Sequence, residues 1–156
     1  MPKEPLTTDA PSWHKFFAST ANNRAWTLST ATTRTPEQDQ EMLDLAHASA
    51  WHWRAIGTEL HHMRATMLLA EVHALLGLGA SATRYAKQMH TYFTSRETDD
   101  WELAFTHAIT AHAAYAAGDL ATHRSAYTQA VAALDAIADS EDRAIVNQTM
   151  AQIPAP

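Results

Sequence analysis

Two segments of the chain decide the fold: RATMLLAEVHALLG (64–77) and FTHAITAHAAYAAG (105–118). Both are rich in alanine and other helix-favouring residues, and both end in glycine, which commonly terminates helices. A short link and a second stretch of small and aromatic residues follow each segment, around Tyr85 in the first case and Tyr127 in the second. The two segments begin 41 residues apart, which indicates a repeated helix-turn-helix unit.

Local start and stop signals predict the other helices. TPEQ (35–38) has the pattern of a capping box with proline at the first helical position, and Gly57 is expected as the C′ glycine of that helix. No alternating strand pattern is visible. The sequence therefore predicts an all-α protein of six to seven helices, stacked as antiparallel hairpins that leave a concave face. The predicted helices lie at about 11–31, 36–56, 58–76, 81–93, 100–117, 120–138 and 141–151.

Composition limits the class of protein. A chain of 156 residues with 46% hydrophobic and 18% charged residues is typical of one globular domain, here residues 11–153 after a flexible N-terminal arm at 1–10. The absence of cysteine excludes disulfides and thiolate chemistry. The net charge of −6 and the scattered cations argue against nucleic acid as a partner. No secretory signal is visible and the longest apolar stretch is too short to span a bilayer, so we expect a cytoplasmic protein without membrane contact.

Several short motifs resemble a set of small bacterial helical proteins, mostly uncharacterised, that are built like tetratricopeptide repeats. The motifs are AHASxxHW (46–53), GT (57–58), LAF (103–105) and AGD (117–119). The resemblance covers roughly residues 35–153. It implies a tetratricopeptide-like fold and carries over no catalytic residue.

Ten histidines are the chemical peculiarity of the sequence, and four of them are candidate catalytic residues. His47 and His52 are five positions apart on one helix and therefore point to different faces, as do His107 and His112. For His52 and His112 the alternative is a core imidazole that is hydrogen-bonded to a backbone or hydroxyl group. Asp44, three residues before His47, would orient that imidazole as a general base, although a surface ion pair explains the spacing equally well.

The metal-binding patterns in the sequence are incomplete. HExxH is missing, and the single Glu-x-x-His pattern, Glu59 with His62, has no second copy for a dinuclear site. One divalent metal ion between helices therefore remains open as the only cofactor expectation. Its candidate ligands are His52, His62, His107 and His112.

Two functions from different classes fit these observations. The first is a non-enzymatic module that holds a peptide or partner protein in the concave groove. The second is a small-molecule-binding protein or enzyme with a histidine-rich pocket between the second, third and fifth helices. Whether the chain is an enzyme, and whether it forms a homodimer, is left open. The candidate ligand-binding residues are Trp51, Trp53, Arg54, His62, Arg64, Glu71 and Tyr115.

Overall fold

The computed structural model describes residues 2–5 and 8–156, and within them the chain is all-α, which confirms the predicted fold class. Seven helices follow one another without any strand in this described part. They are α1 (Ala10–Ser29), α2 (Pro36–Ile56), α3 (Glu59–Leu75), α4 (Gly79–Thr94), α5 (Asp100–Ala116), α6 (Leu120–Ala136) and α7 (Ser140–Met150).

Capping side chains set several of these boundaries. The Thr35 side chain accepts a hydrogen bond from the Gln38 amide, and the Gln38 side chain accepts one from the Thr35 amide, so the predicted capping box is confirmed. Asp119 and Asp139 cap α6 and α7 in the same way, with one carboxylate accepting first-turn amides.

Glycine plays two different roles at the helix ends. Gly77 and Gly118, at matching positions after α3 and α5, have φ of 71° and 76°, the left-handed conformation that glycine adopts most easily. Gly57 follows α2 as predicted, but it is extended (φ −83°, ψ 165°), so its expected role as a left-handed C′ glycine is wrong. Crowding explains the residue there, because a Cβ would lie 2.7 Å from the Trp53 carbonyl oxygen.

The helices pack as three hairpins followed by one further helix. α1 packs on α2, α3 on α4 and α5 on α6, and α7 packs on α5. The odd-numbered helices also pack on one another in the order α1, α3, α5, α7, so they form one layer and the even-numbered helices flank it. Helices α3 and α5 begin 41 residues apart, at Glu59 and Asp100, which confirms the period seen in the sequence.

Small residues let the central helices approach closely. The core between α3 and α6 is largely alanine, filled by a few large side chains such as Met89, Phe93 and Ile109. At Gly79, the first residue of α4, an added Cβ would lie 2.5 Å from the carbonyl oxygen of Ala116 at the end of α5. Only glycine therefore allows this approach of the two backbones.

Two expectations concern the ends and surfaces of the chain. The predicted arm at 1–10 includes residues 1, 6 and 7, which lie outside the described residues, and α1 already begins at Ala10. Among the residues that the structure describes, no helix combines the length and the apolar character needed to cross a bilayer.

Candidate functional groove

The layer of odd-numbered helices carries a groove of about 420 Å³, to which α1, α3, α5 and α7 all contribute side chains. We call it the odd-helix groove. Because four helices from different parts of the chain form it, no single segment of sequence announces it. Its apolar wall consists of Trp26, Met67, Trp101, Phe105 and Ile145.

The aromatic side chains of the odd-helix groove support one another. The Phe105 ring lies 5.6 Å from that of Trp26 and 6.1 Å, edge to face, from that of Trp101. Separations of this size are those of favourable aromatic pairs. Phe105 itself is buried, whereas both tryptophans are only partly buried, so an apolar surface of fixed shape borders the groove.

Arg64 is held in place at the centre of the odd-helix groove. Its Nε donates to the Glu102 carboxylate at 2.6 Å, and its guanidinium lies 5.4 Å from the centre of the Trp101 ring. The hydrogen bond to Glu102 is the main cause that raises the pKa of Arg64. No hydrogen-bond partner for the terminal guanidinium nitrogens lies among the described residues, so these donors are available to a ligand.

A larger cleft of about 780 Å³ lies between α4, α5 and α6, and we call it the even-helix cleft. Its lining is mostly Ala, Ser and Thr, so its volume reflects short side chains rather than shaped walls. His90 and His107 also line it, with ring centres 5.8 Å apart. Nδ1 of His107 is buried without a hydrogen-bond partner, and burial, with His90 as the next cause, lowers the pKa of His107.

The candidate His112 is buried between α3 and α5. Its Nδ1 donates to the Glu71 carboxylate at 3.0 Å, and the two side chains are 6% and 1% exposed. The expectation of a backbone or hydroxyl acceptor is therefore wrong, since the acceptor is a carboxylate on the neighbouring helix. Neither side chain lines the odd-helix groove or the even-helix cleft, so the pair holds two helices together rather than facing a substrate.

His52 and His47 meet other histidines at helix interfaces. Nδ1 of His52 shares a hydrogen bond of 2.9 Å with Nδ1 of His14 on α1. The exposed His47 on α2 places its ring 5.2 Å from that of His73 on α3. The Asp44 carboxylate accepts from the side chain of Gln40 and not from His47, so the expected orientation of His47 by a hydrogen bond from Asp44 is wrong.

The other candidate ligand-binding residues are spread over the molecule. Trp51 is 57% exposed, and the Trp53 ring stacks on His61 at 4.3 Å. His62 Nε2 donates to the Trp53 carbonyl at 3.1 Å and not to Glu59. Arg54 is exposed on α2, and Tyr115 is exposed on α5 with its ring beside His123.

The structure thus does not bring the candidate metal ligands together. His52 and His112 have the partners described above, His62 bonds to a backbone carbonyl, and His107 lies across the molecule in the even-helix cleft. Within the described residues, no three side chains from His, Asp and Glu form a group able to hold a metal ion. The expected pocket between α2, α3 and α5 is likewise not assembled by these histidines.

Sequence reasoning selected Arg64 but missed most of the groove around it. Trp26, Trp101 and Phe105 had been interpreted as core residues at helical spacing, which they partly are. A usable signal was the 41-residue repeat, because the first helix of every hairpin in such a stack lines the same face. Applying that rule would have placed Trp101 and Phe105 on the surface shared with Arg64.

No protein-family model matches the chain, and no match was found among the curated proteins or the solved structures. The odd-helix groove therefore has to be interpreted from its own chemistry. It offers an aromatic wall, a fixed arginine with free donors and a few side-chain amides, of which Asn22 and Gln148 are two.

Proposed function

We propose that this protein is a helical-repeat binding module that holds a segment of a partner protein in the odd-helix groove. The observation that carries the proposal is the aromatic wall of Trp26, Trp101 and Phe105 around the anchored Arg64. Aromatic residues and arginine are the side chains that most often dominate the binding energy of protein interfaces.

The polar groups of the groove suit a peptide backbone. The terminal nitrogens of Arg64 are donors, and Glu102 already balances the charge of that guanidinium. A neutral carbonyl oxygen is therefore a fitting acceptor for them. The side-chain amides of Asn22 and Gln148 add donors and acceptors at the sides of the groove, which a main chain in an extended conformation can use.

The alternative of a histidine-based pocket has less support from the geometry. It needed several imidazoles around one cavity, but the candidates lie at separate helix interfaces and face protein partners. The odd-helix groove contains no histidine among its described lining residues. An open groove with the histidines dispersed elsewhere is the arrangement that favours a binding module.

The test is a selection of peptides on the intact protein. A phage library of random dodecamers is panned on the protein, and the recovered peptides are synthesised and titrated by fluorescence anisotropy. Ile145→Arg blocks the groove from α7, where Ile145 is 53% exposed. Leu120→Arg is the matched control, because Leu120 is 59% exposed at the start of α6 and does not line the groove.

We expect Ile145→Arg to weaken the recovered peptides by about tenfold or more, since a hot-spot contact is worth roughly 1.4 kcal/mol or more. Leu120→Arg should leave the affinity within about twofold. Because both positions are exposed, neither variant should lower the melting temperature appreciably. If no peptide is recovered, or if the two variants weaken binding equally, the groove is not the binding site.

A further inference from the structure

One end of the odd-helix groove is acidic. At this end α5 begins beside Asp99 and Asp100, and α7 begins beside Asp139 and Asp142. Asp142 lies three residues before Ile145, and residues at this spacing occupy the same side of a helix. The charge of Asp99 acts on Arg64 inside the groove. These carboxylates therefore border the groove and are not spread over the distant surface.

Two of the four carboxylates are used by the fold. Asp100 accepts hydrogen bonds from the amides of Trp101 and Ala138, and Asp139 accepts from the amides of Glu141 and Asp142. Asp99 precedes α5 but makes no capping hydrogen bond with its side chain. Capping therefore explains Asp100 and Asp139, and it leaves the carboxylates of Asp99 and Asp142 unexplained.

The protein provides no cation to balance this end. Partial desolvation raises the pKa of Asp142, and the neighbouring carboxylates of Asp139, Asp100, Glu141 and Asp99 raise it further. Arg64 is the only Lys or Arg among the described residues that line the groove, and it is already engaged by Glu102. Like charges held close together at a groove destabilise the free protein and would be relieved by an added cation.

We propose that the partner segment carries a lysine or arginine next to its apolar anchor, and that this cation binds at the acidic end formed by Asp99 and Asp142. This inference rests on the proposed function of the groove. The apolar anchor packs on Trp101 and Phe105, and the cation then lies toward the starts of α5 and α7. Charge complementarity of this kind sets the orientation of a bound segment and excludes acidic competitors.

The experiment uses the peptides recovered on the intact wild-type protein and the double variant Asp99→Asn with Asp142→Asn. The control is Asp44→Asn with Asp135→Asn, which makes the same charge change at exposed positions on α2 and α6, away from the groove. We expect Lys or Arg in most recovered peptides. The double variant should bind them about tenfold more weakly at low ionic strength, and less so in about 0.5 M salt. The control should remain within about twofold.

Stability separates this role from a structural one. If the two carboxylates served the fold, the double variant would have a lower melting temperature. We expect an unchanged or higher one, because the substitution removes repulsion and no hydrogen bond to a backbone amide.

The outcomes distinguish the two proposals. If the peptides are sensitive to Ile145→Arg but lack basic residues, or bind the double variant as tightly as the wild type, the inference is overturned while the binding groove stands. Recovery of acidic peptides, or a lowered melting temperature with unchanged affinity, also overturns it. If the recovered peptides ignore Ile145→Arg, the proposed function itself fails.

Discussion

The Glu71–His112 pair is the main polar contact inside the core, and it joins the middle helices of the two repeated hairpins. The two residues are 41 positions apart, so they occupy matching places in successive repeats. Burying a carboxylate beside an imidazole is costly unless the two are hydrogen-bonded to each other. The pair therefore specifies how α3 and α5 align, because a shifted alignment would leave both groups without a partner.

This leads to a prediction at the residue scale. Glu71→Ala should lower the free energy of unfolding by about 3 kcal/mol or more, because the Nδ1–H of His112 would remain buried without an acceptor. Glu71→Gln should cost less, about 1–2 kcal/mol, since the amide oxygen can still accept that hydrogen bond. Urea unfolding at neutral pH measures both values. Equal losses in the two variants would contradict the assigned role of the hydrogen bond.

At the scale of the helices, pairs of histidines recur where neighbouring helices pack. His14 and His52 join α1 to α2, His47 and His73 lie between α2 and α3, and His90 and His107 lie between α4 and α5. Each pair brings together two groups that cannot both be protonated without repulsion. Helix packing in this protein should therefore respond to mildly acidic pH.

The direction of that response follows from the pKa values. Burial is the largest cause that lowers the pKa of His47, His52 and His107, and the facing imidazole lowers each further. At His47, Asp44 opposes the shift, and Arg54 and Arg84 add to it. The unfolded chain therefore binds more protons below the ordinary histidine pKa of about 6.5. Stability should be complete above that pH and should decline as the pH falls through it.

We accordingly expect the urea midpoint to be lower at about pH 5 than at about pH 7.5. Part of any such drop comes from other groups, so the comparison is made with the triple variant His47→Gln, His52→Gln and His107→Gln. The triple variant should lose less stability over the same pH interval, because glutamine does not titrate. An identical loss in the two proteins would show that these histidines are not responsible.

At the scale of the whole molecule, α7 closes the stack and supplies one wall of the groove. One continuous core extends from Met67 in α3 to Ile153 beyond α7 and includes the fully buried Val146. Its neighbour Ile145 faces the groove and is 53% exposed. The same helix thus contributes one residue to stability and the next to the proposed binding surface.

Two adjacent substitutions test this division. Val146→Ala should cost about 1–2 kcal/mol through the cavity that it leaves, whereas Ile145→Ala should change stability by less than about 0.5 kcal/mol. Because the core is continuous, we expect circular dichroism and tryptophan fluorescence to report one coincident unfolding transition in each variant. Separate transitions in Val146→Ala would mean that α7 unfolds independently of the rest.

Helix positions were the part of this structure most accessible to sequence reasoning. The capping box at Thr35 and the glycines at 77 and 118 act within a few residues, so their effect does not depend on the rest of the chain. Gly57 shows the limit of that reasoning. Its place after α2 was predictable, but its backbone conformation depends on its contacts with Trp53 and His61.

The sequence by itself determined the helices, their order and the repeat of 41 residues, because caps, glycines and helix propensity are local properties. Only the tertiary structure decided which histidine meets which partner, and that Trp26, Arg64, Phe105 and Ile145 share one groove. These residues belong to four helices that are far apart in the chain. Their meeting depends on the packing of the odd-numbered helices, which no local pattern encodes.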